Sequence, residues 1–116
     1  MAADDLPQLF QAEWCPFSHL VRNRLTELGV DVVLRQVAAD RARRDAMAEA
    51  TGGSRGIPTL VVDGEVISGH DEIIDWLDAR YVERDDVELH RAKRRADWPT
   101  WRQMFPLYLD ELTRPG

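Results

Sequence analysis

Apolar and polar positions recur in two rhythms along the chain, and each rhythm predicts an element. Gln8–Glu13 is short and mixed, with Leu9 and Phe10 marking a first strand that runs up to Trp14. From Cys15 the period lengthens. Phe17, Leu20, Val21, Leu25 and Leu28 recur at helical spacing, while Arg22, Asn23, Thr26 and Glu27 fill the other face. Pro16 suits a first helical turn, where its missing N–H costs nothing, and Gly29 is a natural stop. The spacing predicts a helix from Cys15 to Leu28. Val30–Val37 is β-branched and continuous, the pattern of a buried strand. Asp40–Thr51 reads as a charged second helix with Ala42, Ala46, Met47 and Ala50 turned inward, closed by Gly52-Gly53. Thr59–Val62 and Glu65–Ile67 flank Asp63-Gly64, a strong signal for a two-residue hairpin turn. Ile73, Ile74, Leu77 and Tyr81 mark a third helix, with Asp71 and Glu72 well placed in its first turn.

The order is therefore strand, helix, strand, helix, strand, strand, helix, with no internal repeats. Two strands that enclose a helix run parallel with a right-handed crossover, and the next two form a hairpin. Together they predict an α/β chain with a mixed four-stranded sheet flanked by helices, the thioredoxin-like fold. Residues 1–81 carry this pattern, and residues 82–116 form a helical, aromatic-rich C-terminal extension packing on the same domain.

Composition narrows the function. With 116 residues, 44% hydrophobic and 31% charged, the chain suits one globular domain. Its apolar runs are too short to span a membrane, and a net charge of −6 disfavours general nucleic-acid binding. No basic, apolar leader precedes Pro7, so a cytoplasmic protein is expected. The single cysteine forms no intrachain disulfide, and His19, His70 and His90 lack metal-ligand spacing, so no metal site is expected.

Cys15 falls where the first strand gives way to the first helix. Unpaired N–H groups and the positive end of the helix dipole gather there, which stabilises a thiolate by about 0.3–2 kcal/mol. Ser18, three residues on, is placed to donate a hydroxyl hydrogen bond to the sulfur. A second feature is Ile57-Pro58-Thr59 at a strand start. A cis bond there turns the Ile57 backbone outward to pair with an extended peptide, whereas a trans bond makes it an ordinary strand entry. A third is Ser68-Gly69-His70-Asp71, either an anion-binding nest of N–H groups at Gly69, His70 and Asp71 or a plain cap by Ser68 or Asp71.

Trp14-Cys15-Pro16-Phe17-Ser18, Gly56-Ile57-Pro58-Thr59 and Ser68-Gly69-His70-Asp71-Glu72-Ile73, in this order, resemble the glutaredoxin family and the N-terminal domain of glutathione transferases. The resemblance spans roughly Leu9 to Tyr81. It implies a cis Ile57–Pro58 bond facing Cys15, with the Ile57 backbone pairing with the cysteinyl part of glutathione. It further implies that Gly69, His70 and Asp71 hold the γ-glutamyl end and that Phe17 lines the groove. Ser18 stands where two-cysteine members have their second cysteine, so the chain looks like a monothiol member. Such a protein reduces mixed disulfides of glutathione, or of a related small thiol, with Cys15 as nucleophile, glutathione as co-substrate and glutathionylated proteins as partners. The family's lysine upstream of the cysteine is absent: Gln11, Ala12 and Glu13 stand there, leaving Arg55, Arg43 or Arg44 as substitutes. Transferase activity is not expected, since only a short segment follows Tyr81 where transferases carry a helical second domain.

Some monothiol members share an iron–sulfur cluster across a homodimer. The strong cluster binders have glycine where this chain has Pro16, so the resemblance favours thiol exchange over cluster binding. The alternative is a non-catalytic module that binds glutathione or a cluster and docks a partner. In the extension, Arg91, Lys93, Arg94 and Arg95 read as a solvated helical face, and Trp98, Trp101, Phe105 and Tyr108 as an apolar stripe against the core.

Overall fold

Four strands and four α-helices follow one another along residues 5–95, the part of the chain that the computed structural model describes. They are β1 (Gln8–Gln11), α1 (Pro16–Leu28), β2 (Val33–Gln36), α2 (Asp45–Thr51), β3 (Thr59–Val62), β4 (Glu65–Ser68), α3 (His70–Arg80) and α4 (Val87–Arg95). The sheet order is β2-β1-β3-β4. β1 pairs parallel with β2, placing Leu9 opposite Leu34, and antiparallel with β3, placing Leu9 opposite Leu60. Asp63 and Gly64 both adopt positive φ, 49° and 80°, as a tight hairpin turn between β3 and β4 requires. This is the thioredoxin-like arrangement expected from the element order.

Leu9 and Leu60 from the central strands meet Val21, Leu25 and Leu28 of α1 and Ile73 and Leu77 of α3 in one core cluster. α1 and α3 therefore share one face of the sheet. Truncating a fully packed side chain such as Leu25 to alanine costs about 2–5 kcal/mol at such positions.

The sheet order corrects one expectation. Val33–Gln36 is an edge strand, not a buried one, and Leu34 keeps 43% of its surface exposed. The short, mixed β1 is instead a central strand with a neighbour on each side, and three of its four residues are buried. The predicted helix over 40–51 is also broken. A 3-10 turn at Arg41–Arg43, capped by the Asp40 carboxylate, precedes a seven-residue α2. Ala42, Ala46 and Ala50 are exposed, and Met47 alone of the four points inward. Arg44 interrupts the helix and is itself buried. Its guanidinium donates to the carbonyls of Ala38 (2.8 Å), Arg55 (2.8 Å) and Ala39 (3.2 Å).

α4 docks on α1 through charge. Glu27, buried on α1, accepts from Arg24 at 2.7 Å and Arg91 at 3.2 Å, with Arg94 at 3.8 Å. Glu83 joins Arg24 and Arg91 from the intervening loop. Arg91 is thus drawn into an ion-pair network and does not belong to a solvated face. Burial pushes the Glu27 carboxyl up, but the two guanidinium groups outweigh it and hold the group below its ordinary value. Trp98, Trp101, Phe105 and Tyr108 lie outside the described residues.

Glu27→Gln is expected to destabilise the chain by about 1–3 kcal/mol and to loosen α4, measurable as a lower urea midpoint and faster amide exchange in Val87–Arg95. Because the carboxyl is depressed in the folded state, this contribution is full above about pH 4.3 and fades as pH falls further. The gap between wild type and variant should therefore close in acid.

Candidate active site

α1 begins at a turn that holds the sulfur in place. Cys15 is the N-cap, with extended backbone (φ −85°, ψ 117°), and its N–H donates to the Ala12 carbonyl at 3.1 Å. Pro16 opens the helix, and the Ser18 N–H donates to the Cys15 sulfur at 3.4 Å. The Ser18 side chain is fully buried. Its hydroxyl accepts from the Ala12 N–H at 3.5 Å, and the same group favours the Cys15 thiolate. Cys15 itself retains 5% exposure while Glu13, Trp14, Pro16 and Phe17 around it are exposed, so the sulfur lies just beneath the surface.

Burial pushes this thiol up. The Ser18 hydroxyl, the amides of Ser18 and Phe17 and the nearby positive charge of Arg22 together outweigh burial, and the thiol lies below its ordinary range. The physical cause is the one expected of a helix start: oriented amides solvate a thiolate better than they solvate a thiol.

The other two segments are tied to this turn. The Ile57–Pro58 peptide bond is cis. Pro58 is buried and its carbonyl accepts the Gly69 N–H at 3.0 Å, linking the proline loop to the start of α3. Phe17, half-exposed, stacks on His70 with ring centroids 4.8 Å apart and 24° between the planes, which links the cysteine turn to α3. The amide and carbonyl of Ile57 take part in no hydrogen bond among the described residues, leaving a peptide edge unpaired.

The nest at α3 needs correcting. Gly69 is the N-cap, and no side chain caps the helix, so neither Ser68 nor Asp71 acts as one. The Gly69 N–H is committed to Pro58, so the amides left to an anion are those of His70 and Asp71. The Asp71 carboxylate is exposed and lies 3.0 Å from the His70 imidazole.

Of the cations proposed from the sequence, Arg44 is spent on three backbone carbonyls. Arg55 pairs with Asp45 at 2.7 Å and with the carbonyl of Ala42 at 3.1 Å. The cation beside the cysteine turn is Arg22, which donates to the side chains of Gln11 and Glu13. Its signal in the sequence was position alone: seven residues after Cys15, two helical turns along the same face. Among the described residues, no cluster of His, Cys, Asp and Glu is arranged to hold a metal ion, and no helix is long and apolar enough to cross a membrane.

The sequence profile described as Glutaredoxin matches residues 8–67. No curated protein sequence matches the chain. Among solved structures, the fold is similar to glutathione S-transferase 1-6 from Anopheles dirus species B, with a TM-score of 0.58 and 22% identity over 89% of this chain and 46% of that one. A delta-class glutathione transferase from Nilaparvata lugens gives 0.58 and 20% over 69% of this chain and 38% of that one. A glutathione transferase homolog from Burkholderia GL BGR1, solved with bound glutathione, gives 0.54 and 19% over 92% of this chain and 66% of that one. The chain spans less than half the length of the two insect transferases.

Ser18→Ala removes the hydroxyl that favours the thiolate. Alkylation of Cys15 by iodoacetamide is expected to slow several-fold at pH 7, and its pH profile to move to higher pH. An unchanged profile would remove Ser18 from the site.

Proposed function

Because the chain belongs to the glutaredoxin family, we propose that it is a thiol-disulfide oxidoreductase that reduces mixed disulfides of glutathione, or of a related small thiol, through Cys15 alone. The observation that supports this most is the Cys15 sulfur at the N-cap of α1, accepting the Ser18 amide at 3.4 Å. The glutathione bound in the Burkholderia homolog adds that this fold accommodates such a ligand.

In the proposed cycle the Cys15 thiolate attacks the glutathione sulfur of a mixed disulfide. A new S–S bond forms between Cys15 and glutathione, the old one breaks, and the outgoing thiolate takes a proton from water. A second glutathione, as thiolate, then attacks the glutathione sulfur held on Cys15. Oxidised glutathione leaves, and Cys15 returns as the thiolate that the α1 amides stabilise. No resolving cysteine is needed, and with one cysteine in the chain none is available.

The unpaired Ile57 peptide edge would pair with the cysteinyl backbone of the bound peptide, and the His70 and Asp71 amides would take the γ-glutamyl carboxylate. Phe17, stacked on His70, would form the wall between these two subsites. A thiol kept reduced in this way suits a reducing compartment such as the cytoplasm. An iron–sulfur cluster fits the site less well. The described residues offer one thiolate, on a cysteine that is 5% exposed.

Cys15→Ser is expected to abolish turnover in a glutathione-coupled assay. Oxidised glutathione should leave one glutathione adduct per wild-type chain by intact mass and none on the variant. Turnover that survives the substitution would refute the mechanism.

A further inference from the structure

Arg22 is held on two sides by partners of opposite character. One is Gln11, 2% exposed, whose own amide donates to the Gln36 side-chain carbonyl at 3.1 Å, so it is fixed in place. The other is Glu13, whose carboxylate lies 3.0 Å from the guanidinium while 91% of its side chain is exposed. An ion pair with so exposed a partner is weak and screened by salt. The guanidinium is thus anchored along one edge by a buried neutral group, and its other edge is covered by a carboxylate that costs little to displace.

This site is part of the cysteine turn. Gln11 and Glu13 flank Ala12, whose carbonyl accepts the Cys15 N–H and whose amide donates to Ser18. Holding both flanks of Ala12 places the charge of Arg22 within electrostatic reach of the sulfur, and that charge favours the thiolate.

We infer that Glu13 is a built-in stand-in for the carboxylate of the incoming thiol, and that Arg22 receives that carboxylate when Glu13 is displaced. The inference rests on Cys15 being the attacking group. It makes Arg22 a specificity-determining residue: thiols and disulfides bearing a carboxylate are recruited beside the sulfur, and uncharged ones gain nothing. Exchanging one carboxylate for another leaves the net charge around the guanidinium unchanged. Glu13 then sets the threshold that a substrate must exceed.

Two alkylating reagents of nearly the same size test this, iodoacetate with a carboxylate and iodoacetamide without one. Both react with the Cys15 thiolate, so its ionised fraction cancels in the ratio of their rate constants. Glu13→Gln, at an exposed position, is expected to raise the iodoacetate-to-iodoacetamide ratio about 3- to 10-fold, the effect of about 1 kcal/mol of released competition. Arg22→Gln is expected to lower the ratio below that of wild type, and Arg22→Lys to restore part of it. High salt should bring the Glu13→Gln ratio towards that of Arg22→Gln. If the ratio is the same in wild type and Glu13→Gln, or if both rates change together, the pair merely braces the turn and the inference is overturned. Alkylation needs no redox step, so failure of glutathione turnover would count against the oxidoreductase reading alone, and an unmoved ratio against Arg22 alone.

Discussion

Everything proposed for this chain depends on one interaction, the capture of the Cys15 sulfur by the first turn of α1. A sulfur at this depth is driven towards the neutral thiol by burial. The Ser18 amide and hydroxyl and the Phe17 amide reverse that preference. The two amides are donors that α1 leaves without intrahelical acceptors, so the helix that builds the core also supplies part of the solvation of the thiolate. Ser18 has a second duty, since its hydroxyl also accepts the Ala12 N–H and so fixes the loop between β1 and α1.

The rest of the fold keeps that turn where it is. β1, central and buried, ends four residues before the sulfur, and α1 is pinned to β1, β3 and α3 by the leucine-rich core. At its far end α1 is held by the network of Glu27 with Arg24 and Arg91, which brings α4 against it. The proline loop and the start of α3 are joined to each other through Pro58 and Gly69, and to the cysteine turn through Phe17 and His70. Three segments distant in sequence thus form one surface around a single reactive atom.

Much of this was legible from local signals. The change of period at Cys15, with Pro16 and Gly29 as punctuation, marked α1 almost to the residue, and Asp63-Gly64 marked the hairpin. The misreadings came from interactions between distant residues. Nothing within Val30–Val37 tells that β2 is an edge strand; that is set by sheet order. The break before α2 depends on carbonyls of residues 38, 39 and 55 that converge on Arg44 only in the fold. Gly69 was expected to offer its amide to a ligand, but Pro58, eleven residues earlier, already holds it. Arg22 and Glu27 read as ordinary polar positions of an amphipathic helix, because their partners on β1, the loop between β1 and α1, and α4 are placed by tertiary structure.

The most direct test of the account is the ionisation of Cys15 itself, followed by the ultraviolet absorbance of the thiolate in the native chain and in the same chain unfolded in urea. The account requires the native sulfur to lose its proton at a lower pH than the unfolded one. Ionisation at the same pH, or at a higher one in the native chain, would show that burial prevails over the helix amides and would contradict it.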